Sequence, residues 1–222
     1  MKSTLRFFPI LLAMLCFSSC FEIKEEVNMN NDGSGTMVLT MDMSASKENL
    51  ANFMEQGQMG AIKMPDRASI EAEMAKLKKA ISETKGMSNV QSTSDYTSFI
   101  FTMSGDFKNT KSLNKAINNA ISAFNDGPLL TPKKDNFAYS TNLFKRYFKY
   151  RIRKGMYEKM DFGTRFVLDA SRVKSIYHFQ KPVKQFTNSR AQLSPDKKTV
   201  EFSSSLAEIA KGSISIENDI SF

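Results

Sequence analysis

The amino-acid sequence predicts an α+β fold, an antiparallel sheet with about three amphipathic helices packed on one face. Two periodicities carry that expectation. Apolar and polar residues alternate with period 2 from Phe21 and again through much of the chain after Asn136, whereas apolar residues recur at helical spacing in three stretches, about 44–55, 66–85 and 110–124. Composition is the third observation. A chain of 222 residues, 41% hydrophobic and 24% charged, can bury a core without disulfide staples, and this composition excludes disorder and collagen-like repeats.

The first element is a leader. Lys2 and Arg6 form a positive start, Phe7 to Phe17 is an apolar run interrupted by Pro9, and Ser18-Ser19-Cys20 closes it with small residues. This is the layout of a secretory signal peptide over residues 1–19, and the apolar run is too short to span a bilayer. Phe17-Ser18-Ser19-Cys20 resembles the lipobox of bacterial lipoproteins. The chemistry needs Cys20 because its thiol receives the diacylglyceryl group, and it needs small residues before it so that the peptidase reaches the backbone. Ordinary secretion and an uncleaved anchor are the competing readings. Both cysteines, Cys16 and Cys20, lie in or at the leader, so acylation of Cys20 leaves the mature chain no thiol nucleophile, disulfide or cysteine-held metal. Two or three acyl chains, at about 0.8 kcal/mol per buried methylene, make such an anchor effectively permanent.

Residues 20–222 read as a single α+β domain, with a β-rich subdomain from about residue 130 as the alternative division. Phe21, Ile23, Val27 and Met29 alternate with Glu22, Lys24, Glu26 and Asn28, and Glu25 is the one break in the apolar face. Asn31 to Gly35 is a turn, and Met37, Leu39, Met41 and Met43 alternate after it, so the first two strands form a hairpin. Strand pairing starts next to Cys20 without a polar tether, which keeps the domain close to the membrane. Ser44 or Ser46 caps a helix to about Glu55, a loose connection follows to Met64, and a second helix runs from Asp66 to about Lys85 with Gly86 beyond it. Val90 to Asp95 is a weak strand and Tyr96 to Phe107 a strong one. The third helix spans about Thr110 to Phe124, with Leu113, Ile117, Ala120, Ile121 and Phe124 inward. Phe137 to Ile152 is one long strand or two with a bulge, and Thr164–Ala170, Val173–Phe179 and Thr199–Ser203 are further strands. A short helix at Leu206–Lys211 and a last strand over Ser213–Phe222 close the chain.

Three stretches resemble a known family: the strand directly after Cys20, Asp32-Gly33-Ser34-Gly35-Thr36 with Met41-Asp42-Met43-Ser44, and Pro182-Val183-Lys184 with Thr187-Asn188-Ser189 and Leu193 to Phe202. Together they resemble outer-membrane lipoproteins of Bacteroidetes-type bacteria and, more distantly, LppM-type lipoproteins of mycobacteria. The resemblance implies an α+β domain outside the inner membrane and, for the mycobacterial relatives, an association with envelope glycolipids. It brings no catalytic residues. Lys24-Glu25-Glu26 also resembles the acidic export tag that sends some Bacteroidetes lipoproteins to the cell surface; the bland reading is the solvent face of the first strand.

Candidate chemistry is sparse. His178 is the one histidine, so a histidine-based zinc site has no second ligand, and a surface or half-buried ring is expected. Asn28, Asn30, Asp32 and Gly33 copy half a calcium loop, but Leu39 stands where a bidentate Glu is required, and the pattern reads as a hairpin turn. Ser-x-x-Lys recurs at Ser44, Ser82, Ser112, Ser171 and Ser194, as chance gives in a Ser- and Lys-rich chain. No cofactor and no metal site are expected. The net charge is +8, and the densest basic run is Lys145 to Lys154. Read as a strand, it turns Phe144, Phe148, Tyr150 and Ile152 to the core and Lys145, Lys149, Arg151 and Arg153 outward, a face suited to anionic lipid or lipopolysaccharide phosphate. A solvated face or pairing with acidic neighbours is the alternative.

These readings converge on a non-enzymatic lipoprotein of the outer membrane, anchored through Cys20. It binds anionic lipid, glycolipid or an envelope protein, with no nucleic acid as partner. Whether it lies on the periplasmic face or the cell surface is left open. A structural or assembly subunit is the alternative, and a hydrolase with an unrecognised site ranks below both. A deep apolar pocket would favour lipid binding; a flat unpaired edge strand would favour assembly.

Overall fold

The computed structural model describes residues 21–59, 62–124, 135–148, 156–160, 165 and 168–222. In chain order the strands are β1 (Phe21–Met29), β2 (Gly35–Asp42), β3 (Gln58–Met59), β4 (Ile62–Lys63), β5 (Met87–Asp95), β6 (Ile100–Phe107), β7 (Phe137–Ser140), β8 (Leu143–Arg146), β9 (Ser171–Phe179), β10 (Gln185–Phe186), β11 (Gln192–Leu193), β12 (Thr199–Ser205) and β13 (Asn218–Ser221). The helices are α1 (Lys47–Gln56), α2 (Arg67–Ser82), α3 (Thr110–Phe124), α4 (Met156–Lys159) and α5 (Leu206–Ala210).

The expected β1–β2 hairpin forms over its whole length, from Glu22 opposite Asp42 to Met29 opposite Gly35. It joins a seven-stranded sheet of order β11-β12-β9-β1-β2-β6-β5. This sheet corrects the antiparallel expectation, because β1 and β9 run parallel, Phe21 beside Ser171 through Met29 beside Phe179. The short turn over residues 30–34 returns β2 antiparallel to β1, but the long connection from Met29 to Ser171 leaves direction free. The helix count also changes. Among the described residues the three longer helices and the expected short helix, α5, are joined by α4, and a four-residue segment is too short to show a 3.6-residue period.

The helices do not hold one face of the sheet alone. A second sheet of order β10-β13-β8-β7 lies against the same face. Val27, Met29, Tyr177, Phe179 and Val200 of the large sheet meet Phe137, Phe144, Ile220 and Phe222 of the small one. Aromatic rings fill the junction: Phe144 lies 5.1 Å from Tyr177 and 5.3 Å from Phe179, which lies 4.7 Å from Phe222, all tilted or edge-on. The segment expected as one long strand, or two with a bulge, over Phe137–Ile152 is, across its described residues, the β7–β8 hairpin, turned at Thr141-Asn142. Leu168 and Asp169, expected within a strand, are helical.

Helix α3 forms where the apolar stripe predicts it. Asn109 caps it, its side chain accepting the Ser112 N–H at 3.0 Å. Asp66 does the same for α2 through Ser69 at 2.7 Å. Helix α2 ends at Ser82, three residues before the expected Lys85, and Gly86 takes φ +91° in the turn that follows.

Two glycines of the first turn have different reasons to be glycine. Gly33 takes φ +86°, and a Cβ there would stand 3.1 Å from Tyr139. A Cβ at Gly35 would stand 2.0 Å from the Asn28 carbonyl oxygen, a backbone atom that cannot swing aside. Gly33→Ala is expected to lower stability by about 1–3 kcal/mol, and Gly35→Ala to lower it more. Urea unfolding of both variants checks the order; a milder Gly35 variant would contradict it.

Candidate functional site

On the inner face of the large sheet, the dense aromatic junction gives way to a cavity of about 530 Å³. Its floor is Met37 and Leu39 of β2, Met87 of β5, Met103 and Gly105 of β6 and Val173 of β9. Helix α3 forms another wall with Leu113, Ala116, Ile117, Ala120 and Ile121, and Ile81 of α2 adds to it. Leu206, Ile209 and Ala210 of α5 line it too, with Ile216, Phe148, Met160 and Leu168. The space has a cause in the sequence. Ala116 and Ala120 lie one turn apart on the apolar stripe, and Gly105 carries no side chain, so volume that larger residues would fill stays open.

Polar atoms gather at one place in this lining. Glu25 of β1 and Arg146 of β8 both border the cavity and both are buried. Arg146 Nε donates to Glu25 Oε1 at 2.9 Å and its Nη2 to Oε2 at 2.7 Å, a bidentate pair. The Tyr177 hydroxyl donates to Glu25 Oε1 at 2.7 Å, and Arg146 Nη1 donates to the Tyr147 carbonyl at 2.6 Å. The guanidinium carbon lies 4.7 Å from the centre of the Phe137 ring. Burial opposes the charge on Arg146, but the Glu25 carboxylate outweighs it and leaves the guanidinium harder to deprotonate than usual. Burial and the same carboxylate push the Tyr177 phenol well above its ordinary range, so it remains a donor. The two charges cancel, and the cavity presents no net charge at this end.

Asn114 of α3 holds the helix wall in place. Its side chain donates to the Phe137 carbonyl at 2.8 Å and accepts the Asn136 and Phe137 N–H groups, each at 2.9 Å. One buried amide thus ties α3 to the start of β7.

Sequence reasoning marked Glu25 as a break in an apolar face, and that break is the acid of the pair. It passed over Arg146, although Arg146 shares strand parity with Phe144 and is buried like it. Asn114, beside Leu113 on the apolar stripe, was a similar unread signal. Of the four proposed lipid-contacting cations, Lys145 points outward as expected, but it donates to Asp219 at 2.5 Å, and that bond holds its ammonium above its ordinary range. The structure therefore favours the acidic-neighbour alternative at Lys145. Lys149, Arg151, Arg153 and Cys20 lie outside the described residues. His178 is half-buried on the outer face, its ring nitrogens 3.0 Å from Thr199 Oγ1 and 3.3 Å from Glu26 Oε1. Asp32 accepts the Ser34 hydroxyl at 2.7 Å and the Ser34 N–H at 3.0 Å, bonds that lower its pKa and shape the turn. Glu25 points inward, whereas Lys24 and Glu26 lie on the opposite face.

No family model matches the chain, and no curated protein matches it. Among solved structures, the folded domain of Mycobacterium tuberculosis LppM, determined by NMR, is 10% identical with a TM-score of 0.41, covering 92% of this chain and 90% of that one. At that level neither fold nor activity carries over. Among the described residues no helix is long and apolar enough to cross a membrane.

Removing one partner of the pair strands the other charge in the interior. Arg146→Met is expected to cost about 3–5 kcal/mol, and the double variant with Glu25→Leu to recover much of it. A double-mutant cycle by urea unfolding checks the coupling; additive losses would contradict it. Tyr177 adds a pH signature. Because its folded pKa is raised above the unfolded value near 10, its contribution is full below about pH 10 and is lost as pH rises from there toward the folded value. Tyr177→Phe should therefore show a shallower alkaline loss of stability than the parent in unfolding curves taken above about pH 10.

Proposed function

We propose that this is a non-enzymatic envelope lipoprotein, anchored to the outer membrane through acylated Cys20, whose domain takes up an acyl chain of a lipid or glycolipid. The observation that carries the reading is the cavity. Its volume of about 530 Å³ falls within the range of small-molecule sites, roughly 300–1,000 Å³. Water inside would find few partners among methionine, leucine, isoleucine and alanine side chains, whereas a hydrocarbon chain removes apolar surface from water on both sides. Methionines at positions 37, 87, 103 and 160 give part of the lining an adaptable shape, suited to chains of varied length and unsaturation.

The electrostatics support one mode of entry for such a ligand. Glu25 accepts three hydrogen bonds and neutralises Arg146 in the same stroke, so this end offers no unbalanced charge to an ionised headgroup. The acyl chain goes in and the headgroup stays at the rim. Lys149 follows the cavity-lining Phe148 directly in the chain. In this reading Lys149, Arg151 and Arg153 meet the phosphate of an anionic headgroup, and Lys145 is occupied by Asp219.

The protein extracted gently from membranes is expected to retain lipid identifiable by mass spectrometry. Ala120→Trp, which fills the cavity from α3, should reduce that lipid at least tenfold while the thermal transition is retained. Equal lipid on parent and variant, or none on the parent, would refute the reading.

A further inference from the structure

The cavity has an apolar lip on one side, and the lip continues along the sheet toward the start of β1. Among the described residues the exposed large hydrophobic side chains are Leu39, 43% exposed, and Met41, 41% exposed. They alternate on β2 and so share its inner face. Leu39 also lines the cavity, which makes it part of the rim. Met41 stands beside Ile23 of β1 on one side and Phe101 of β6 on the other. Two residues before Ile23 on the same face is Phe21, and Phe21 follows Cys20 directly.

The opposite face of the same strands is built for water. Lys24 pairs with Glu26 at 3.5 Å, Lys174 with Glu201 at 2.8 Å, and His178 faces Glu26. Thr40 and Asp42 continue that polar face on β2. The end of the sheet nearest Cys20 is therefore two-sided, polar and ion-paired on one side and apolar on the other, where Leu39 and Met41 are exposed and Phe21 and Ile23 are half-buried.

We propose that Leu39 and Met41, with half-buried Ile23 beside them, form a platform that lies in the interface of a phospholipid bilayer, so that the cavity opens toward the membrane rather than toward water. This rests on the acyl-chain reading of the cavity and on Cys20 as the anchor. Along β1 only about 13 Å separates Phe21 from Glu25, which borders the cavity. An anchor at Cys20 holds that end of the sheet at the bilayer surface, and of the two faces there only the inner one gains by leaving water. A lipid chain can then pass between bilayer and cavity over Met41 and Leu39 without crossing an aqueous gap.

The test uses the full chain, produced with its leader, purified from membranes and reconstituted into phosphatidylethanolamine–phosphatidylglycerol vesicles. Single cysteines replace Leu39, Met41, Val38 or Thr40 and carry an environment-sensitive fluorophore; the parent chain gives the background from Cys20. With brominated acyl chains in the vesicles, the probes of Leu39→Cys and Met41→Cys should be quenched at least twofold more than those of Val38→Cys and Thr40→Cys, and aqueous iodide should show the reverse order. Equal quenching at Met41→Cys and Thr40→Cys by both agents would overturn the platform. Lipid measurement on the parent separates the two readings. Retained lipid without the quenching contrast faults the platform alone, and the contrast without retained lipid faults the cavity reading alone.

Discussion

The Glu25–Arg146 pair fixes how the two sheets sit on each other. Glu25 belongs to β1 at the centre of the large sheet, Arg146 to β8 of the small one, and Tyr177 on the adjacent β9 completes the donor set around the carboxylate. Apolar contacts alone would let two aromatic-rich faces slide with little penalty. A bidentate fork tolerates almost no slip, because each ångström lost exposes a desolvated charge. The pair also stands at a boundary, with the close-packed rings of Phe137, Phe144 and Tyr177 on one side and the open, methionine-lined space on the other. An ion pair with its bonds already made can border an apolar space that an unpaired charge could not.

Around that fixed point the wall of the space is held by side-chain hydrogen bonds rather than by filling. Asn114 fastens α3 to Asn136 and Phe137, and Asn119 Nδ2 donates to Thr84 Oγ1 at 2.8 Å near the turn into β5. Leu113 is buried in the aromatic core, while Ala116 and Ala120 further along the helix face the cavity. The N-terminal turn of α3 thus anchors it, and the later turns span the space. A helix fixed in this way keeps its distance from the sheet without needing large side chains beneath it.

Much of this architecture was legible from local pattern. The β1–β2 hairpin, the stripe on α3 and the glycines of the first turn follow from periodicity and turn chemistry, and the structure keeps all three. Period 2 reports which residues share a face but not which strand lies beside them, so the parallel partnership of β1 with β9 was invisible. The same gap hid the small sheet. Ser140-Thr141-Asn142 carries turn residues, but the aromatic alternation around it reads through as one strand. The ion pair was half visible. Glu25 breaks one apolar face and Arg146 another of the same parity, and two opposite breaks in two buried faces are the mark of a partnership across the core. The cavity was the least legible feature, because alanine and methionine on a helix stripe read equally well as close packing.

The central position of β1 has a mechanical consequence. Its residues are matched along the strand to β2 on one side and β9 on the other. A tug delivered through the residue before Phe21 acts along the strand axis, so it must shear both ladders together rather than peel one bond at a time. Edge strands under load unzip; a flanked central strand resists until many bonds fail at once. Load entering through the start of this strand is thus met along the direction in which both ladders resist together.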